Sequence, residues 1–198
     1  LRKAIDKAKE LEVKIIAPGH GPVYRKDPQR IIDDYSRYSL YAEGAGKNEV
    51  TILWGSMYGM TAKAVAHAET ILKREGVKYN KLEMPLESES LMVATVFKSA
   101  GIIIAAHTYE YKLFPPVAAA LNELGRKKIT GKQAFRFGSY GWSGGAEKEL
   151  KEIMDRNRMN WDFVESVEFE GSPKEEDLKK VEAGILELLE NIKDKTVE

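Results

Sequence analysis

From residue 47 onward, short continuous apolar runs alternate with longer stretches whose apolar positions recur every three or four residues. Val50-Thr51-Ile52-Leu53-Trp54 and Ile102-Ile103-Ile104-Ala105-Ala106 have the β-rich, unbroken pattern of strands buried on both faces. Lys78–Met84, Ala134–Ser139 and Phe163–Phe169 read as further strands. Helices are predicted between them. In Thr61–Glu75, Val65, Ala68 and Leu72 share a face and Gly76 is placed as a stop. In Ser90–Ser99, Leu91, Ala94 and Lys98 step along one side, and Val93 and Phe97 lie on another. Pro115-Pro116 opens a helix carrying Val117, Leu121 and Leu124 and closed by Gly125, because proline lacks only an N–H that has no partner in a first turn. Ala146–Asn157 turns Leu150, Ile153 and Met154 inward. The last helix is read from Ser172-Pro173-Lys174-Glu175 as a capping box, with a stripe of Leu178, Val181, Ile185, Leu188 and Ile192.

Strands and helices in strict alternation predict an α/β fold: a doubly wound five-stranded parallel sheet with helices on both faces. Such sheets bind ligands beyond the carboxyl ends of their strands, where the strand order reverses. The loops after the first, third and fourth strands are therefore the place to seek chemistry.

The first of these, Gly55-Ser56-Met57-Tyr58-Gly59-Met60-Thr61, offers hydroxyls, backbone N–H groups and a helix N-terminus, as a phosphate site requires. It lacks the Lys-Ser/Thr pair of nucleoside-triphosphate loops and the Gly-x-Gly-x-x-Gly of dinucleotide turns, and it holds no basic residue. A solvated turn of small residues is the competing reading. The second loop, Ala106-His107-Thr108-Tyr109-Glu110-Tyr111-Lys112, carries tyrosines that either stack on a flat ring or cover a neighbouring helix. The third, Ser139-Tyr140-Gly141-Trp142-Ser143-Gly144-Gly145-Ala146, sets a Trp among glycines, where it either walls a ligand or folds back over the sheet edge. Taken together, phosphate donors and aromatic walls at one crevice point to flavin mononucleotide (FMN).

Composition narrows the setting. Of 198 residues, 43% are apolar and 31% charged, which fits a globular chain. The 31 basic and 31 acidic residues cancel, giving no reason to expect nucleic acid or a membrane surface as partner. With no cysteine, the chain has no disulfide, thiolate metal site or cysteine nucleophile. No apolar run approaches the roughly 20 residues that span a bilayer. Residues 1–12 are charged throughout, unlike a signal peptide, and a cytoplasmic location is expected. The chain opens on Leu1, and we expect it to be cut from something longer.

Ser56-Met57-Tyr58-Gly59-Met60-Thr61, Thr108-Tyr109 with Leu113-Phe114-Pro115-Pro116-Val117, and Ser139-Tyr140-Gly141-Trp142 with Gly144-Gly145-Ala146 together resemble the flavodoxin module of flavodiiron proteins. The resemblance covers residues 47–198 and implies a flavodoxin-like sheet of order 2-1-3-4-5 with one FMN. It implies that Ser56, Thr61 and the N–H groups of Met57, Tyr58, Gly59 and Met60 hold the phosphate. Tyr109 and Trp142 would flank the isoalloxazine. Backbone from Thr108 to Glu110 and from Tyr140 through Gly141, Ser143, Gly144 and Gly145, next to Ser139, would meet its polar edge. Ile15-Ile16-Ala17-Pro18-Gly19-His20-Gly21-Pro22-Val23 resembles the end of that family's metallo-β-lactamase-like domain, so residues 1–46 read as its remnant plus a linker helix from Asp27-Pro28 to about Ala42. Glu43-Gly44-Ala45-Gly46-Lys47-Asn48 is read as the linker itself.

In that family the position of His20 ligates a di-iron centre, which here would require the missing domain. The family implies an oxidoreductase reducing dioxygen or nitric oxide. Its electrons come from rubredoxin, a reduced deazaflavin or an NAD(P)H-linked reductase, and it works as a head-to-tail homodimer. This chain alone would be an electron carrier. The family usually shows Pro at His107, Asn-Asn-Gly at Glu110-Tyr111-Lys112 and Asp at Gly55. These departures lead us to expect that His107 or Glu110 makes the redox potential pH-dependent. A stand-alone flavodoxin, an NAD(P)H:quinone reductase on the same fold, and a binding module without FMN are the alternatives.

Overall fold

The computed structural model describes residues 2–197. Two helices, α1 (Arg2–Lys9) and α2 (Pro28–Ala42), precede the sheet. Asp27 accepts the Arg30 N–H at 3.3 Å to start α2, and Pro28 occupies its first turn. Between them an antiparallel bridge joins Ile16 to Tyr24. Helix α2 lays Tyr38 and Tyr41 against Phe97, with ring centroids 6.4 and 5.7 Å away.

The strands are β1 (Lys47–Gly55), β2 (Lys78–Glu83), β3 (Ser99–Ala106) and β6 (Gln133–Tyr140), with β7 (Asp162–Phe163) and β8 (Val167–Glu170) at one edge. A small hairpin, β4 (Thr108–Tyr109) and β5 (Lys112–Leu113), stands apart from them. The main sheet is parallel in the order β2-β1-β3-β6, with β7 and β8 both beside β6. This is the flavodoxin-like order expected. The fifth strand, read as one run, is broken: Phe163 pairs Ala134 and Val167 pairs Phe137, so the edge carries one extra residue, a bulge. The bulge lies opposite Arg136, a fully buried cation in the neighbouring strand.

Helices α3 (Met60–Arg74) and α7 (Glu175–Asn191) cover one face, packing Val65, Ala68, Leu72, Val181, Ile185 and Leu188 against Ile52, Ile103 and Phe135. Helices α4 (Glu89–Lys98), α5 (Pro115–Arg126) and α6 (Ala146–Asn157) cover the other, with Val117, Leu121, Leu150 and Ile153 against Ile102 and Ile104. In α4 the buried positions are Met92 and Val96, whereas Leu91 is exposed, so the core stripe runs between the two sides read from the sequence. Helix α7 starts at Glu175, not Ser172: the Lys174 N–H donates to Asp177 at 2.9 Å, and Ser172 instead accepts from Lys63 at 3.0 Å.

Residues 43–48 are not a loose linker. A Cβ on Gly44 would lie 2.3 Å from the Gly131 carbonyl oxygen, and one on Gly46 would lie 2.4 Å from the Ala100 nitrogen. Strand β1 begins at Lys47, Gly46 bridges to Thr196, and the buried Lys132 ammonium donates to Ala45 at 2.8 Å. The segment is cemented into the base of the sheet because its glycines permit that close approach.

Candidate functional site

Strand order reverses between β1 and β3, and the helices that follow them lie on opposite faces. Their loops therefore diverge and leave a crevice at the carboxyl end of the sheet. It encloses about 640 Å³, a ligand-sized volume. Its wall combines Ser56, Met57, Tyr58 and Met60, the stretch His107–Tyr111, the stretch Ser139–Ser143, and Gly171. The three loops singled out in the sequence thus meet at one cavity.

The first loop leads into α3 through Gly59, whose φ of 77° is left-handed and which has no side chain to cap the helix. A Cβ at Gly59 or Gly141 would meet nothing within 4 Å. The unpaired N–H groups of the first turn of α3, with the positive end of its dipole, are thereby left to the cavity. Ser56 Oγ accepts the Gly59 N–H at 3.1 Å and shapes the turn. Thr61 is fully buried. Its hydroxyl lies 3.0 Å from Ser139 Oγ and accepts the Ser139 N–H at 3.3 Å, tying the first loop to the third instead of lining the cavity.

The second loop is the β4–β5 hairpin. Its turn residues Glu110 and Tyr111 take φ values of 47° and 62°, a left-handed pair that Asn-Gly adopts with less strain. The frame around it holds that turn. Glu149 Oε2 accepts the Leu113 N–H at 2.7 Å, and Thr108 Oγ1 accepts the Ala146 N–H at 3.4 Å. Gly145 is glycine because the hairpin presses on it: a Cβ would sit 2.2 Å from the Tyr111 carbonyl oxygen. Gly144 likewise makes room for Glu168, whose Oε2 would be 2.9 Å from a Cβ. Gly59, Thr61, Gly144 and Gly145 therefore build the frame, and the other residues singled out as cofactor-binding line the cavity.

His107 packs on Phe114, ring centroids 4.5 Å apart at 35°. Neither of its buried ring nitrogens makes a hydrogen bond among the described residues. Burial holds its pKa below the ordinary histidine value, with the Gly55 backbone acting the other way. Trp142 stands 89% exposed and Tyr58 81% exposed at the rim, so Trp142 does not fold back over the sheet. Tyr111, one of the two tyrosines read as a stacking surface, lines the cavity with Tyr109, and Gly171 lines it without having been singled out in the sequence. The signal for Gly171 was the Gly171-Ser172 break after the fifth strand.

Beneath the floor, Arg136 is fully buried and donates to the Ala106 carbonyl at 3.3 Å. Its guanidinium comes within 2.7 Å of Glu168, without hydrogen-bond alignment, and 3.8 Å of Glu147. This ion cluster gave no sign in the strand pattern beyond one Arg in an apolar run.

The residues present fit a flavin monophosphate: an uncapped helix N-terminus, open space at Gly59 and Gly141, and aromatic side chains projecting at the rim. A di-iron centre does not fit on this chain's own residues. Among the described residues no three His, Asp or Glu side chains converge, and His20 is exposed. No helix described is long and apolar enough to cross a membrane.

No family model matches the chain. It is 28% identical over 170 residues to the nitric oxide reductase of Moorella thermoacetica, covering 86% of this chain and 42% of that protein. It is 32% identical over 139 residues to the anaerobic nitric oxide reductase flavorubredoxin of Vibrio vulnificus, covering 69% of this chain and 27% of that protein. Among solved structures, the flavodiiron protein from Giardia intestinalis superposes with a TM-score of 0.78 at 27% identity, over 96% of this chain and 47% of that one. Rubredoxin oxygen:oxidoreductase from Desulfovibrio gigas gives 0.84 at 23% identity, over 98% and 48%. A flavodoxin from the domain Archaea gives 0.62 at 20% identity, over 73% and 99%. The chain spans less than half the length of the curated relatives it matches.

Proposed function

We propose, from the premise that this chain is homologous to the flavodiiron proteins, that it is their flavodoxin-like module and that its cavity holds one FMN for electron transfer. The observation that carries this reading is the side-chain-free N-terminus of α3 opening into the same cavity as Trp142 and Tyr58. Bound FMN would supply the electron-carrying chemistry. The N–H groups of Met57, Tyr58 and Met60 and the Ser56 hydroxyl would receive its phosphate, with the helix dipole offsetting the charge. Trp142 and Tyr109 would flank the planar ring and shield its faces from water. Backbone groups of Thr108–Glu110 and Tyr140–Ser143 are available to its polar edge. No side chain here needs to act as acid, base or nucleophile.

In this reading residues 1–46 are the end of a preceding metallo-β-lactamase-like domain and 47–198 the flavin module. His20 becomes an iron ligand only when that domain is present. The whole protein would reduce dioxygen or nitric oxide in the cytoplasm as a homodimer, with electrons from rubredoxin, a reduced deazaflavin or an NAD(P)H-linked reductase. The second reading is a stand-alone flavodoxin, whose fold this chain shares over 73% of its length.

An absorption spectrum of the purified chain, with an iron assay and an anaerobic titration with reduced rubredoxin, tests the proposal. A flavin spectrum without iron, bleached by the donor, is expected. A colourless protein that stays so after incubation with FMN contradicts it. Rapid bleaching by NADPH alone would favour the quinone-reductase alternative.

A further inference from the structure

We propose that His107 is the switchable countercharge to the ligand's phosphate, so that the cavity takes up a proton when it binds a phosphorylated flavin and none when it binds the unphosphorylated one. This rests on the FMN reading above. The first loop, Gly55–Thr61, contains no basic residue to meet a phosphate. In the sheet Gly55 pairs with Ala106, which sets His107 beside Ser56 at the head of that loop, and both line the cavity. The imidazole is clamped against Phe114 at 4.5 Å, and Phe114 itself lies over Gly55, 2.6 Å from where a Cβ would be. Neither ring nitrogen reaches a side-chain partner among the described residues, and the polar group that acts on the ring is the Gly55 backbone.

The titratable groups around the imidazole leave it as the responsive one. Tyr58, Tyr109, Tyr111 and Tyr140 line the cavity as phenols and supply neither a carboxylate nor a basic side chain. Glu110 is exposed to solvent in the hairpin turn, and Glu149 is held by the Leu113 N–H at 2.7 Å. Arg136 lies below Ala106 and is paired with Glu168, flanked by Glu147. Glu83, the last residue of β2, pairs with Trp54 in register, and Glu87 follows in the turn; neither lines the cavity. A desolvated imidazole without an acid partner is neutral at neutral pH. A phosphate dianion within the cavity favours its charged form. Between the free and bound pKa values the complex holds one more proton than its parts. Affinity then falls as pH rises, by up to about tenfold per pH unit.

The test is calorimetric titration of the flavin-free chain with FMN and with riboflavin at pH 7, in two buffers of different ionisation enthalpy. Wild-type chain is expected to take up a fraction of a proton with FMN and none with riboflavin. FMN affinity should fall from pH 7 to 8.5 while riboflavin affinity stays level. His107→Gln, checked for fold by circular dichroism, should bind FMN without proton uptake. The phosphate's own second ionisation, near pH 6, acts in the opposite direction and persists in the variant. Equal proton uptake for both flavins, or uptake retained in His107→Gln, overturns the proposal while leaving the cofactor reading intact. If neither flavin binds, the cofactor reading falls and this inference with it. The wild-type comparison of two flavins stands even if the variant does not fold.

Discussion

Single residues at this site divide into those that hold the frame and those that face the cavity, and substitution should separate them. Thr61 is fully buried and spends its hydroxyl on Ser139. Thr61→Val should lower unfolding free energy by about 1–2 kcal/mol in a urea titration, because a buried partner is left unpaired. Trp142 is 89% exposed, so Trp142→Ala should leave that titration unchanged yet weaken FMN binding by roughly tenfold or more through lost ring contact. Lys132 gives a residue-scale pH effect at the other end of the sheet. Its ammonium donates to Ala45 and Phe97 at 2.8 and 2.9 Å, and burial pulls its pKa from 10.5 to about 7. The unfolded chain therefore binds more protons than the folded one between those values, and this lysine's contribution to stability rises with pH across that window and is flat below it. Urea unfolding at pH 7 and pH 10 should show a gain of about 3 kcal/mol at most that Lys132→Met lacks. A slope shared by both proteins would contradict this.

At the scale of elements, the hairpin Thr108–Leu113 shows strain held by its surroundings. Glu110 and Tyr111 are both left-handed without being glycine, which costs roughly 1 kcal/mol or more each. Replacing them by Asn-Gly should raise the melting temperature by several degrees, about 1–2 kcal/mol, read by circular dichroism. The strain was invisible in the sequence, where the loop was judged by its tyrosines. Much else about the elements was legible. Continuous runs such as Ile102–Ala106 belong to central parallel strands, and the periods of α3, α5, α6 and α7 bury the expected residues. What misled was local chemistry with tertiary partners. Glu43–Asn48 looked like a linker because glycines are read as freedom, whereas Gly44 and Gly46 serve close approach. Phe163–Phe169 looked continuous because nothing local marks the bulge opposite Arg136. Thr61 sits within a phosphate-like loop, and only the fold shows its hydroxyl turned to Ser139.

For the whole molecule, the consequence is a rigid parallel sheet that presents three loops from one end, while the N-terminal helices pack at the other end through Tyr41 and Phe97. The site and the N-terminal helices are thus at opposite ends of β1, and ligand binding should not depend on those helices. The three loops converge only because the strand order reverses between β1 and β3, a property that alternation of strands and helices makes readable. The side-chain roles within the loops were not readable, since they depend on which hydroxyls and glycines the frame consumes. The most direct measurement of the central assignment is a fluorescence titration of flavin-free chain into FMN, followed by X-ray crystallography of the complex. Quenching that saturates at one FMN per chain is expected, with the phosphate at the N-terminus of α3 and the ring against Trp142. No quenching at micromolar chain, or a flavin bound elsewhere, would contradict it.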